Sequence, residues 1–88
     1  MSQEEQYRAV ISEIIAKQSL ILGPEMAIMR AKKIQELEIS AQGEIVSIKG
    51  DPAEALKKLV DIYVELSGQI VRNALTPIFI KYPEVKSN

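Results

Sequence analysis

Glu36, Glu38 and Glu44 bring three carboxylates close together in the sequence. Neighbouring carboxylates can bind a hard cation or share a proton. Their spacing is not that of a calcium-binding loop, and their plainer role is solvated charge along a strand edge. A second group is basic. Arg30, Lys32 and Lys33 stand almost side by side, and Lys49, Lys57 and Lys58 would join them in one face near an end of the intervening hairpin. Such a face attracts phosphates or an acidic protein. No aromatic residue lies near the first three to stack on a base. Met26 and Met29 precede this group, and methionine fills cores as well as adaptable binding surfaces. With Tyr63 and Tyr82 they are the candidate lining of an apolar ligand pocket between the second helix, the hairpin and the last helix.

Much chemistry is missing. The sequence has no His, Cys or Trp, which removes an imidazole base, a thiol nucleophile and nearly every zinc site. Gly23, Gly43 and Gly50 are isolated and match neither a phosphate loop nor a dinucleotide fingerprint. Gly50-Asp51-Pro52 opens a helix whose amides could receive an anion, but the Asp51 carboxylate fills that position as the cap. The expectation is a chain with no catalytic residue, no metal site and no cofactor, and hence not an enzyme.

Composition narrows the partners. At 88 residues the chain predicts a single domain, 1–88. The aromatic residues are only Tyr7, Tyr63, Phe79 and Tyr82, so the core must be aliphatic. Eleven basic residues against twelve acidic ones give a net charge of −1, which makes nucleic acid an unlikely partner. The absence of cysteine, the polar start Ser2-Gln3-Glu4-Glu5 and the lack of a long apolar run predict no disulfides, no signal peptide and no membrane association. A cytoplasmic location follows as an expectation.

The elements that must position these residues are legible from period and punctuation. Ser2 with Glu5 three residues on has capping-box spacing. Tyr7, Val10, Ile11, Ile14, Ile15 and Leu22 recur at helical spacing, predicting a helix over 3–22. Glu13 stands four residues before Lys17, the favourable order for a helical ion pair. Gly23-Pro24 turns the chain into a second, mostly apolar helix over 24–35. The period then changes to two, predicting a β-hairpin over 37–49 with Gln42-Gly43 as its loop. That register pairs Leu37 with Ile48, Glu38 with Ser47, Ile39 with Val46 and Ser40 with Ile45, which leaves Ile45 on the polar face. Asp51 and Pro52 start a last helix. Its polar stripe from Glu54 to Thr76 has a mean spacing of about 3.67, close to the helical period. The stripe keeps phase through Ser67-Gly68, so one long helix over 52–82 is predicted, with a frayed tail at 84–88. The fold class is α+β, in the order α-α-β-β-α.

A helix running from 52 to at least 76, and to 82 at its longest, spans about 37–46 Å, whereas a domain of this size is roughly 31 Å across. Its overhanging end would carry Ile70, Val71, Ala74, Leu75, Ile78 and Phe79, too much apolar surface to leave in water. The sequence therefore predicts a homodimer formed through these six residues, acting as a non-enzymatic protein-interaction or regulatory module. A small apolar-ligand sensor is the alternative, and a nucleic-acid accessory protein ranks below both.

Overall fold

The Ser2 hydroxyl accepts from the Glu5 amide at 3.1 Å, and Glu5 Oε1 accepts from the Ser2 amide at 3.1 Å. This reciprocal cap opens α1 (Gln3–Leu22). The computed structural model describes residues 2–83 and Val85, without the side chains of Gln69, Ile70 and Val71. After α1 come α2 (Pro24–Ala31), β1 (Leu37–Ile39), β2 (Ile45–Ile48), α3 (Pro52–Ser67) and α4 (Gln69–Lys81). The class is α+β and the order begins α-α-β-β-α, as the sequence predicts. The last helical region is two helices, not one.

Helix α1 is the spine. Its 20 residues, at about 1.5 Å each, match the longest Cα dimension of the molecule, 30 Å. Helices α2, α3 and α4 and strand β2 all pack on it. Its inward stripe of Tyr7, Val10, Ile11, Ile14 and Ile15 is buried. Gly23 makes the corner into α2, donating its amide to Ser19 O at 3.0 Å. Helix α2 stops at Ala31, short of the predicted 35. There Lys33 bonds to Arg30 O (3.2 Å) and Ile34 to Ala31 O (3.1 Å), tightening the chain into three-residue turns. These turns deliver Ile34 and then Leu37 into the core.

The hairpin corrects the predicted register. Leu37 pairs with Ile48 and Glu38 with Ser47 as expected, but Ile39 pairs with Ile45. Two features cause the shift. The loop holds three residues: Gly43 N bonds to Ser40 O (3.0 Å), Ser40 N bonds to Glu44 O (2.9 Å), and Gly43 takes φ 88°. Val46 then bulges out of the ladder, restoring register for the rest of the strand. Ile45 thereby turns inward and is buried, while Val46 faces out at 52% exposure. The apolar residue stranded on the polar face by simple alternation finds the core through the bulge.

The predicted long helix over 52–82 is broken at Gly68, which takes φ 61° and ψ −132°. Helix α4 folds back to pack on α1 and α3. Leu75 and Ile78 lie 3% and 2% exposed inside the chain's own core. Burying each stabilises the fold by about 1.5–3 kcal/mol, more than a helix continued through a glycine would retain. Stripe phase did not reveal the break because both halves bury an apolar face in the same interior. Lys81 Nζ fastens the end of α4 to Glu13 Oε1 at 2.7 Å, so the close ion pair of Glu13 runs across helices, with Lys17 adding a weaker attraction. The predicted tail also needs correcting at Val85, which bonds to Tyr82 O and is buried. Glu84, Lys86, Ser87 and Asn88 lie outside the described residues.

Candidate functional site

The carboxylates singled out in the sequence do not converge. Glu36 accepts a hydrogen bond from Lys58 Nζ on α3, which holds its carboxyl below the usual value, and its backbone oxygen accepts from Lys49 N at 2.7 Å. Glu38 accepts from Ser47 Oγ across the hairpin at 3.0 Å. Glu44 lies at the loop, its amide bound to Ser40 Oγ. Among the described residues no group of acidic side chains is placed to hold a metal ion. The basic face is diluted in the same region. Lys33 and Lys58 border one depression together with Glu36 and Asp61, so acids alternate with bases there.

The four proposed pocket residues are also dispersed. Tyr63 is fully buried, and its hydroxyl donates to Ala27 O at 2.7 Å. Burial pushes its phenol pKa well up. Tyr63 is therefore a strut between α3 and α2, filling the space where a ligand was expected. Tyr82 caps the C-terminal end of α4, away from Tyr63 on α3, and the nearby Glu13 carboxylate pushes its phenol pKa up. Only Met26 and Met29 remain on the surface, 38% and 50% exposed.

The proposed interface of Ile70, Val71, Ala74, Leu75, Ile78 and Phe79 fares no better. Leu75 and Ile78 are interior, and Ala74 and Phe79 are half-buried. The side chains of Ile70 and Val71 lie outside the described residues. The overhang that would have displayed these six does not exist, because the longest Cα dimension is only 30 Å.

What the fold does expose is the α1–α2 corner. Leu20 is 84% exposed and Ile21 43%, and with Met26 and Met29 they put four large apolar side chains on the surface within ten residues. Leu22, Gly23, Pro24, Glu25, Met26 and Met29 line one depression there. Met29 also borders a second depression with Glu25, Lys32 and Ala41 of the hairpin loop. The loop is held close, since a Cβ on Gly43 would come within 3.1 Å of Ile28 on α2.

No protein family matches the sequence, and no curated protein or solved structure shows significant similarity to it. The corner must therefore be read from its own chemistry. Among the described residues, no helix is long and apolar enough to cross a membrane.

Leu20 and Ile21 were not among the residues singled out from sequence. The signal was present at the end of α1. Leu20 falls outside the apolar stripe, whereas Gln18 falls inside it. The structure shows both consequences: Leu20 projects outward, and Gln18 is 0% exposed with neither amide atom hydrogen-bonded. A lone exposed apolar residue needs no explanation, but Leu20 stands with Ile21, Met26 and Met29 within ten residues of chain.

Proposed function

We propose that the chain is a non-enzymatic protein-interaction module that binds through its α1–α2 corner. The observation that supports this is the exposure of Leu20, Ile21, Met26 and Met29 together, on rigid helical backbone next to a tight turn. Helical anchors of this kind, two of them methionines, suit recognition of another apolar surface. The reading is consistent with the side chains available, since the chain offers no imidazole or thiol for catalysis. A cytoplasmic location fits it too, because the fold needs no disulfide.

A comparative capture tests this. Leu20→Lys with Met29→Lys changes exposed positions and should leave the fold intact by circular dichroism. Val46→Lys with Ile80→Lys is the control, since these side chains are 52% and 74% exposed elsewhere on the surface. Proteins retained by the unmodified chain should be lost from the corner variant and kept by the control. Equal retention by both variants would refute the assignment.

A further inference from the structure

We infer that the corner receives a second copy of this chain, with α2 lying antiparallel on α2 about a two-fold axis. This rests on the corner being a contact surface. Glu25, Met29 and Lys32 border the same depression. At about 100° per residue, positions 25, 29 and 32 fall within a narrow arc of one helix face. That face therefore reads acid, thioether, base, with the two charges nearly equidistant from Met29. Among the described residues neither Glu25 nor Lys32 takes part in an ion pair. Both are exposed at the ends of the face.

Such a face is its own complement. Rotated by a two-fold axis through the middle of α2, Glu25 of one copy meets Lys32 of the other, twice, with the methionines between them. The same arrangement sets the positive end of each helix dipole against the negative end of its mate. A two-fold contact of this isologous kind is the commonest form of self-association. Helix α2 has eight residues and is about 12 Å long, so the contact falls short of the ~1,600 Å² of a standard interface. The dimer is accordingly weak, and it loosens with salt.

Charge reversal tests the pairing. Glu25→Lys sets Lys against Lys across the axis, and Lys32→Glu sets Glu against Glu. Each variant alone should associate on the order of tenfold more weakly than the unmodified chain at low salt, measured by sedimentation velocity. An equimolar mixture of the two should recover association. In the mixed pair the lysine introduced at position 25 of one chain meets the glutamate introduced at position 32 of the other, and the unmodified Glu25 and Lys32 still meet each other. The double variant E25K/K32E should recover it as well. Circular dichroism confirms that each variant is folded. Single variants that associate like the unmodified chain, or a mixture that stays monomeric, would overturn the inference. If the mixture stays monomeric while the capture experiment still loses its partner from the Leu20→Lys/Met29→Lys chain, self-pairing fails and the interaction module stands with a different protein as its mate.

Discussion

Replacing Gly68 with alanine has opposite consequences for a continuous helix and for the fold-back. In a continuous helix, Gly→Ala stabilises by about 0.8–1 kcal/mol. In the structure Gly68 holds φ 61° and ψ −132°, where a side chain is strained whatever room surrounds it. No atom lies within 4 Å of a Cβ built there, so the whole penalty is conformational. Holding a non-glycine residue in such a region costs about 1–3 kcal/mol, offset only in part by the smaller entropy of an unfolded chain with alanine. For a domain of this size, 1 kcal/mol moves the thermal midpoint by roughly 4–8 °C. Gly68→Ala should therefore lower the midpoint, followed by far-ultraviolet circular dichroism. D-alanine at the same position, introduced by chemical synthesis, accepts a positive φ and should not lower it. A rise in the midpoint for the L-alanine variant would refute the fold-back and return the chain to a protruding rod.

Tyr63→Phe removes the hydroxyl that donates to Ala27 O; a loss of about 1 kcal/mol is expected in urea titration, and an unchanged midpoint would deny the strut. Gln18→Met replaces a buried amide lacking partners with a side chain of similar shape; because an unsatisfied buried group costs about 1–3 kcal/mol, the variant should be more stable, and a clear loss would show that the amide is bonded. Acid should loosen α4 from α1 through Glu13. Partial burial pushes that carboxyl upward, but hydrogen bonds from Lys81 and Tyr82 outweigh it and hold the pKa below 4.5. The unfolded chain then binds the proton more readily, so this contribution is complete above pH 4.5 and is lost as pH falls through the lower folded value. Stability measured against pH should show a shallower acid decline for Glu13→Gln.

Local chemistry was legible wherever a residue's own backbone decided the outcome. Ser2 and Glu5 cap α1, Asp51 accepts from Ala53 N to start α3, and Gly23-Pro24 makes the corner. Half of the hairpin register followed from alternation, and Ile45 looked misplaced because a bulge at Val46 cannot be read from a period of two. The break at Gly68 was hidden for a related reason. An amphipathic stripe reports which side of a helix is buried, not whether the burying surface belongs to the same chain. Leu75 and Ile78 were recognised as needing cover, but the chain supplies it by packing α4 on α1 and α3. The corner was obscured because Ile21 falls in phase with α1's core stripe, which makes the end of the helix read as buried although Leu20 beside it is out of phase. Their exposure depends on where α2 leaves the corner, a matter of three-dimensional packing.

Met26 and Met29 are two of the three methionines in the sequence, so a photoreactive methionine analogue reports almost entirely on the corner. Incorporated in living cells and activated by light, it should join Met26 and Met29 to a polypeptide, either another protein or a second copy, and Leu20→Lys should sharply reduce that product. Adducts missing from both positions, or formed in equal yield when Leu20 is replaced by lysine, would contradict the claim that this chain works through its α1–α2 corner.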